Sequence, residues 1–242
     1  MSTNIFDIID KKKLEAVNKS IEKAHGLPNE CYLGGDYTKI ERKKIFEDKW
    51  IVIGTASSIP NPGDAKPFDL LDIPLIILRD KKNNIRVFHN VCSHRGYKLI
   101  QKSCTLKNTL RCPYHSWTYD FTGNLISTPH LGGMNKHEHK HFIKSNSNLK
   151  EVKSAQWLDL IMINISGNEI PFEDYIKPLE NRWSEFWTKE DQKLIHHACD
   201  YGYFLLEAKT NWKFAIENYC ESYHLPWVHP NLNVYSKLDD HY

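Results

Sequence analysis

The spacing of hydrophobic residues changes near residue 50, and the change separates a helical beginning from a section of short strands. Near the start of the chain, apolar residues recur at helical spacing at Leu14, Val17 and Ile21. This spacing predicts a helix, which the Gly-Leu-Pro stretch at 26–28 ends. A second helix is predicted over residues 38–48. We therefore expect residues 1–45 to form an N-terminal helical arm.

From residue 50 onward, short apolar runs alternate with turn residues, which is typical of a small all-β domain. The predicted strands are Trp50–Gly54, Pro74–Arg79, Ile85–Phe88, Trp117–Phe121 and Asn124–Ile126. Residues 80–84 and Thr122-Gly123 have turn composition, so each joins two of these strands in a hairpin. A longer apolar strand is predicted over residues 157–165. Residues 46–166 are therefore expected to form one β domain.

Helical signals return after this domain, so the fold class we expect for the whole chain is α+β. Residues 171–187 begin with Pro and acidic residues, as helices do, and Pro178 is predicted to break that helix. A strand is predicted over residues 201–209, followed by a helix. Residues 167–242 are expected to begin a second domain.

Composition excludes several classes of function. The 242 residues are 40% hydrophobic and carry a formal net charge of +2, so no bulk charge favours nucleic acid or an anionic membrane as a partner. No apolar run approaches the ~20 residues that a membrane helix needs. The N-terminus lacks the apolar core of a signal peptide. The six Cys show no disulfide spacing, so we expect a reducing, cytoplasmic setting.

The chemistry-bearing stretch runs from Cys92 to His115 and contains two short half-sites. Cys92-Ser93-His94 and Cys112-Pro113-Tyr114-His115 each pair one thiol with one imidazole. Four such ligands can hold zinc in a tetrahedral site. They can equally hold a Rieske [2Fe–2S] cluster, which takes two Cys on one iron and two His on the other. Zinc fingers usually pair Cys with Cys and His with His, so the mixed loops favour the cluster.

These motifs, with their flanking residues, resemble the Rieske domain of ring-hydroxylating, non-haem iron oxygenase α subunits. The matching stretches are Cys92-Ser93-His94-Arg95-Gly96 and Cys112–Asp120. The cytochrome bc type usually has an additional Cys in each loop, and this chain has Tyr97 and Tyr114 near those places. The family more often has Gly where Ser116 stands. The resemblance implies an all-β Rieske domain followed by a helix-grip catalytic domain.

A second constellation lies in residues 211–230. Glu217, Glu221 and His224 are spaced by four and three residues, which places them on one face of a predicted helix. Pro226 is predicted to end that helix, so that His229 comes from the following turn. Two imidazoles with one carboxylate form the facial triad of non-haem Fe(II) oxygenases. Taken alone, two His five residues apart are a weak signal.

The same segment resembles the mononuclear-iron motif of the α subunits, N-W-K followed by E-N-x2-[D/E]-x2-H-x4-H. The resemblance implies that His224 and His229 are iron ligands. It implies that Glu221 takes the catalytic role of the family's bridging Asp, which links the iron site of one subunit to the cluster of its neighbour in a homotrimer. A carboxylate of this kind also orients a ligating His. Glu at this position resembles the branch that oxidises choline, betaines and carnitine.

The resemblance further implies an enzyme that uses O₂ to hydroxylate a small organic substrate, either an aromatic ring or a quaternary ammonium compound. Electrons would reach the cluster from NAD(P)H through a reductase or ferredoxin. No G-x-G-x-x-G follows a predicted strand, so NAD(P)H is expected to bind that partner. The family's third iron ligand is an Asp far downstream, without a counterpart before Tyr242. The chain is therefore expected to be a fragment that contains only the beginning of the catalytic domain.

Two other functions remain open on the sequence. A truncated, non-catalytic Rieske electron-transfer protein would keep the cluster and lack the complete iron site. A zinc-stabilised binding module would use the same four Cys and His ligands. The His-rich stretch 130–141, with His130, His137, His139 and His141, is a further metal candidate. It contains Gly and polar residues, and a solvated loop is the interpretation that its composition favours.

Overall fold

The computed structural model describes residues 4–196 and 207–240, and within these ranges strands begin where the hydrophobic spacing changes. The helices are α1 (Lys11–Val17), α2 (Glu30–Leu33), α3 (Gly35–Glu41, continued by a π-helical turn at Arg42–Glu47), α4 (Phe172–Trp183), α5 (Lys189–Lys193), α6 (Trp212–Cys220), α7 (Leu225–Val228) and α8 (Pro230–Asn233). The strands are β1 (Ile51–Thr55), β2 (Asp64–Leu70), β3 (Ile73–Arg79), β4 (Ile85–His89), β5 (Cys104–Thr105), β6 (Leu110–Arg111), β7 (Thr118–Tyr119), β8 (Leu125–Ser127), β9 (Glu151–Trp157) and β10 (Leu160–Asn164).

The chain divides into two compact units. One comprises the ranges Met1–Ile40 and Phe204–Tyr242, and the other comprises Glu41–Tyr203. The N-terminal segment thus belongs to the same unit as the segment with His224 and His229. The predicted domain limits at 45/46 and 166/167 stay a prediction.

Seven antiparallel strands form the larger sheet, in the order β1-β10-β9-β4-β3-β2-β5. Strand β3 is buried on both faces: Ile76 and Leu78 enter one apolar cluster, whereas Leu75 and Ile77 enter another. This double burial explains why β3 reads as a continuous apolar run. The predicted hairpin of β3 and β4 is confirmed, with Arg79 paired to Ile85.

A smaller sheet of three strands, β6-β7-β8, packs through its apolar side chains onto one face of the larger sheet. Leu110, Tyr119 and Leu125 from the small sheet share a buried cluster with Ile76 and Phe88 from the large one. The predicted hairpin around Thr122-Gly123 is confirmed by the pairing of β7 with β8. The two half-sites lie next to this second layer, since Cys112 follows β6 and Cys92 follows β4.

The prediction that Pro178 breaks α4 was wrong, because the helix continues from Phe172 to Trp183 with Pro178 inside. Phe172 and Ile176 pack with Trp50 and Met162 in a third apolar cluster. The indole N–H of Trp50 also donates to the carbonyl of Ile170, at 3.0 Å. This packing compensates for the backbone hydrogen bond that proline removes.

The predicted strand over residues 157–165 is confirmed at Leu160–Asn164, which is β10, and was wrong at its beginning, where the apolar run contains a turn. Strands β9 and β10 meet there as a hairpin, with Trp157 paired to Leu160. Leu158 adopts a positive φ of 54°, and the carboxylate of Asp159 accepts hydrogen bonds from the backbone and hydroxyl of Ser57. The aspartate inside an apolar run was the signal for this turn.

Two further predictions concern single segments of the chain. The first predicted helix ends at Val17, and Ile21 is exposed in the turn that follows. The strand predicted over 201–209 falls mainly outside the described residues.

Helices and two antiparallel sheets confirm the α+β class. None of the helices in the described ranges has the length and apolar character that crossing a bilayer requires.

Candidate functional site

The two half-sites have the same backbone geometry although their sequences differ. In the first loop, Cys92 N–H donates to Tyr97 O at 2.8 Å, and Gly96 N–H donates to Cys92 O at 2.9 Å. In the second loop, Cys112 N–H donates to Trp117 O at 2.8 Å, and Ser116 N–H donates to Cys112 O at 3.0 Å. Both loops turn through a positive φ, 71° at Gly96 and 60° at Ser116. The matched loops present two equivalent pairs of ligands.

The four candidate ligands are sorted by type. Cys92 and Cys112 are each 2% exposed, and their side chains contact one another inside the apolar cluster. His94 is half-buried and His115 is exposed, and their ring centroids lie 4.8 Å apart. The structure therefore brings together two thiols on the protein side and two imidazoles on the solvent side.

Buried polar contacts fix the first loop in place. The side-chain amide of Asn90, two residues before Cys92, donates to Ile100 O at 2.6 Å and accepts from Ile100 N–H at 2.9 Å. The Tyr119 hydroxyl lies 3.2 Å from Cys92 Sγ, and Trp117 stacks on the His94 ring at 4.6 Å. No sequence pattern separately indicated Asn90 or Tyr119 as supporting residues.

Burial also sets the protonation states of the candidate ligands. It raises the pKa of the Cys112 thiol, so that without a metal the thiol is favoured over the thiolate. Burial lowers the pKa of His94, and the neighbouring His115 and Arg95 lower it further. A low pKa favours the neutral imidazole, which is the form that binds metals. Metal binding is what ionises a thiol of this kind.

The donor set fits a [2Fe–2S] cluster. Such a cluster takes two protein ligands on each iron, and the arrangement of one Cys pair and one His pair meets that need. Within the residues that the structure describes, no three His, Cys, Asp or Glu side chains are grouped for a single metal ion. The buried thiol pair and the outward imidazole pair match the two ends of the cluster.

The second constellation also comes together, in the other unit. His224 precedes α7 and His229 follows it, so this single short helix holds the two rings 5.5 Å apart at an interplanar angle of 76°. The Glu221 carboxylate is hydrogen-bonded to His224 Nδ1 and accepts from the His224 N–H at 3.3 Å. Because Nδ1 is engaged, Nε2 of His224 is the ring atom left for a metal.

The prediction that Glu217, Glu221 and His224 share one helix was wrong. Helix α6 ends at Cys220, and Glu221 is extended, with φ −126° and ψ 155°. Pro226 does not end a helix; it lies in the first turn of α7, where its missing N–H costs nothing. In a continuous helix the Ser222 carbonyl would need the N–H of residue 226, which proline lacks. The Ser222 carbonyl accepts from Leu225 N–H instead. The break turns the Glu221 carboxylate toward His224.

An open cleft of about 870 Å³ adjoins this constellation. Glu221, His224 and His229 line it, together with Ser236 and Asp240. Asp240 lies close to His229 in sequence, unlike the third carboxylate ligand that the family resemblance implies. The described residues supply two imidazoles and one orienting carboxylate here.

Tyr32 contacts the iron-motif helix α6 and was not identified from the sequence. Its ring stacks on Phe214 at 4.6 Å, its hydroxyl donates to Glu217 at 2.5 Å, and its carbonyl accepts from the Asn211 amide at 2.9 Å. The hydrogen bond to Glu217 is the main cause that raises the pKa of Tyr32 to about 12. Lys213 lies 5.5 Å from the same ring. The N-terminal segment therefore holds α6 in a fixed orientation.

The His-rich stretch forms an exposed loop. Nδ1 of His130, His137 and His139 each accepts a backbone N–H, at 2.9, 3.1 and 3.3 Å. A neutral imidazole whose Nδ1 accepts carries its proton on Nε2, so these rings are arranged as hydrogen-bond partners of the loop.

Two protein families match separate parts of the chain. Residues 49–142 match the Rieske [2Fe-2S] domain, and residues 187–242 match the ring hydroxylating alpha subunit (catalytic domain). The four Cys and His of the matched loops fall in the first range, and His224 and His229 fall in the second. The two families therefore occur in the order that the resemblance predicts.

Curated relatives match most of the length of this chain. The carnitine monooxygenase oxygenase subunit of Acinetobacter pittii is 28% identical over 89% of this chain and 55% of its own length. The glycine betaine monooxygenase oxygenase subunit of Chromohalobacter salexigens is 28% identical over 89% of this chain and 46% of its own length. The chain thus spans about half the length of the curated relatives that it matches.

Solved structures have the same fold. A quaternary ammonium Rieske monooxygenase in complex with L-carnitine superposes with a TM-score of 0.75 at 28% identity, covering 86% of this chain and 56% of that one. Naphthalene 1,2-dioxygenase from Rhodococcus sp. superposes with a TM-score of 0.74 at 25% identity, covering 96% and 51%. The chain therefore contains a match to the Rieske [2Fe-2S] domain followed by a match to part of the ring hydroxylating alpha subunit catalytic domain, and its sequence and fold are similar to those of Rieske oxygenase α subunits.

Proposed function

We propose that this chain is the electron-accepting and iron-binding part of an oxygenase α subunit that hydroxylates a small organic substrate with O₂. The observation that carries the proposal is the pair of matched loops, which holds two buried thiols together and two imidazoles together. When bound, a cluster and a mononuclear iron supply one-electron transfer and O₂ activation. The chain's own residues bind and orient these groups.

Cys92, His94, Cys112 and His115 are the proposed cluster ligands. The two cysteines lie in the apolar core beside Tyr119, where water is excluded. The two histidines lie on the solvent side of this chain, where the proposed homotrimer would place the partner subunit's Glu221. Trp117 restrains the orientation of His94 by stacking on it at 4.6 Å.

His224 and His229 are the proposed protein ligands of Fe(II), and Glu221 is the residue that orients His224. The Glu221 carboxylate holds the proton of His224 at Nδ1, which keeps Nε2 directed away and available. The bridging role of Glu221, and the homotrimer that this role requires, are further parts of the proposal. Both rest on the family motif.

The proposed partners and substrates follow the relatives. Two of the named relatives act on carnitine and glycine betaine, and another is a 2-aminobenzenesulfonate 2,3-dioxygenase subunit. A quaternary ammonium compound is the substrate class we favour, with an aromatic ring as the second. NAD(P)H would act indirectly, through a reductase or ferredoxin. We also propose a cytoplasmic location, because the five cysteines in the described ranges are free thiols.

A non-catalytic electron-transfer protein is the second candidate function. The observation that favours it is that no three metal-ligating side chains are grouped in the described part of the chain, so His224 and His229 lack a third protein ligand there. This candidate predicts that iron binds at the cluster loops alone.

Iron analysis of the purified protein tests the two functions. The oxygenase predicts three irons per chain, two in the cluster and one at the His pair. Replacing His224 and His229 with Ala should remove one iron and leave the visible absorption of the cluster unchanged. His139→Ala, in the exposed His-rich loop, is the matched control and should remove none. Two irons in both the parent protein and the double variant would support electron transfer alone.

A further inference from the structure

A buried lysine lies among three aromatic rings at the start of the iron-motif helix α6. Lys213 is 6% exposed, although lysine is among the residues least often buried. Its ammonium nitrogen lies 5.5 Å from the ring centroid of Tyr32, 5.4 Å from that of Tyr37 and 5.2 Å from that of Trp212. Each distance is within the range of a cation–π interaction, which extends to about 6 Å. We call these three rings the ring cage.

The ring cage joins two segments that are far apart in the sequence. Tyr32 lies in α2 and Tyr37 lies in α3. Trp212 and Lys213 are the first two residues of α6. The side-chain oxygen of Asn211 accepts from Lys213 N–H at 3.1 Å, and its amide nitrogen donates to Tyr32 O at 2.9 Å. Lys213 therefore lies at the point where the N-terminal segment meets α6.

The same helix carries groups that contact a proposed iron ligand. The Asn218 side-chain amide lies 3.4 Å from His224 Nδ1, and Glu221, the residue after α6, is hydrogen-bonded to the same ring atom. Helix α6 is a single element of nine residues, so a rotation or shift at Lys213 moves Asn218 and Glu221 with it. The contacts of Lys213 thus help to fix where these two groups meet His224.

The ring cage is separate from the cleft beside the His pair, because neither its three rings nor Lys213 line that cleft. A different open cavity, of about 890 Å³, is lined in part by Tyr32, Asn211 and Phe214. A small solute in this second cavity would contact the cage through Tyr32 without entering the iron cleft.

We propose that the ring cage is a binding site for an ammonium group, that Lys213 occupies it, and that this occupation positions α6 for iron binding. Lys213 is then a positioning residue, which acts on His224 through Asn218 and Glu221. The effect on iron rests on the proposed function, whereas ammonium binding by the cage does not. Aromatic rings attract ammonium and quaternary ammonium groups electrostatically through their faces. If Lys213 only filled space, an uncharged side chain of similar length would replace it without loss.

Anaerobic calorimetric titration with Fe(II), on protein freed of mononuclear iron, tests the positioning role. Lys213→Met removes the ammonium and keeps a long side chain, and it should weaken Fe(II) binding by about tenfold or more. Lys213→Arg keeps a cation that stacks on aromatic rings, and it should stay within about threefold of the parent. Loss of a positive charge by itself would strengthen Fe(II) binding, so weaker binding identifies positioning.

The matched control for charge is Lys237→Met, because Lys237 is exposed in the same compact unit. This variant should leave Fe(II) affinity within about twofold of the parent. A Lys213→Met protein that binds Fe(II) as tightly as the parent, or more tightly, would overturn the proposal.

Substitutions at Tyr37 test the cage without changing Lys213. Tyr37→Phe keeps the ring, and it should bind Fe(II) more tightly than Tyr37→Leu by about threefold or more. Far-UV circular dichroism and urea titration show whether each variant is folded. Equal Fe(II) affinities in the two variants would overturn the role of the rings.

Chemical rescue tests the ligand class of the cage. Lys213→Ala removes three methylenes and the ammonium, which propylammonium replaces atom for atom. Propylammonium chloride should restore Fe(II) affinity toward that of the parent, with sodium chloride as the control for ionic strength. The uncharged 1-propanol should not restore it. Rescue by both solutes, or by neither, would overturn the assignment of an ammonium site.

The urea midpoint of the Lys213→Ala protein separates this inference from the proposed function. If the parent protein binds no Fe(II) at His224 and His229, the proposed function fails. The cage is then tested by the midpoint alone, which should rise with propylammonium and not with 1-propanol. If the parent binds Fe(II) and the variants at Lys213 and Tyr37 bind it equally well, the proposed function stands and the positioning role is wrong.

Discussion

The Tyr119 hydroxyl is expected to tune the reduction potential of the candidate cluster. Tyr119 is fully buried, and its oxygen lies 3.2 Å from Cys92 Sγ and 2.8 Å from Ser93 Oγ. Ser93 N–H donates to that oxygen, and the Ser93 hydroxyl donates to Ser147 O at 2.5 Å. The single hydroxyl hydrogen of Tyr119 is therefore shared between Ser93 Oγ and the Cys92 sulfur.

The size of the effect follows from this sharing. A hydrogen bond to a charged group contributes about 1.5–3 kcal/mol. Reduction adds one negative charge, which spreads over the cluster and its ligands, so the bond strengthens by only part of that amount. A difference of about 1–1.5 kcal/mol corresponds to about 40–65 mV for one electron. Tyr119→Phe should lower the reduction potential by this amount, because the reduced form loses more stabilisation.

A redox titration followed by visible circular dichroism measures the change. Tyr175→Phe, on α4 and packed against the apolar cluster there, is the matched control and should leave the potential unchanged. Ser93→Ala removes the competing acceptor, so the potential should not fall. A Tyr119→Phe protein with a normal cluster spectrum and a potential within about 10 mV of the parent would show that the Tyr119 hydroxyl does not tune the potential.

Three other predictions concern stability. Gly63→Ala should lower the free energy of unfolding, measured by urea titration, by about 2–4 kcal/mol, because an added Cβ would lie 2.2 Å from the Leu106 carbonyl oxygen and Gly63 has a φ of +95°. The control is Gly26→Ala, where an added Cβ has no atom within 4 Å, and it should change the free energy of unfolding by less than about 0.5 kcal/mol. Ser116→Gly should raise the unfolding free energy by about 0.5–1 kcal/mol, because it relieves a φ of +60°; an unchanged urea midpoint would contradict this. Since the pKa of Tyr32 is raised to about 12, its contribution to stability should be complete below about pH 10 and should be lost as pH rises toward 12. Tyr32→Phe should abolish that decline. Parallel curves of unfolding free energy against pH for the two proteins would contradict a contribution from Tyr32.

Local patterns predicted the β domain well because its hairpins close over short distances. Residues 80–84 separate two apolar runs, and Arg79 pairs with Ile85 across this turn. The spacing of Cys and His correctly indicated two loops of similar design. The hydrogen bonds that make those loops equivalent, and the contact between Tyr119 and Cys92, depend on strands far apart in sequence and were not predictable.

The errors arose where tertiary contacts or local side-chain bonds override periodicity. Pro178 remains inside α4 because Phe172 and Ile176 are fixed in an apolar cluster. The helical face assigned to Glu217, Glu221 and His224 does not exist because α6 ends at Cys220. The break nevertheless brings Glu221 to His224, so the predicted proximity of these two residues is confirmed for a different geometric reason.

Electron paramagnetic resonance of the reduced protein, prepared with isotopically labelled histidine, distinguishes a Rieske cluster from bound zinc and from a cluster held by cysteines alone. The proposed ligands predict a [2Fe–2S] signal with hyperfine couplings to two histidine nitrogens, which disappear when His94 and His115 are replaced by Cys. A colourless protein that contains zinc, or a cluster signal without nitrogen coupling, would contradict the assignment of Cys92, His94, Cys112 and His115 as its ligands.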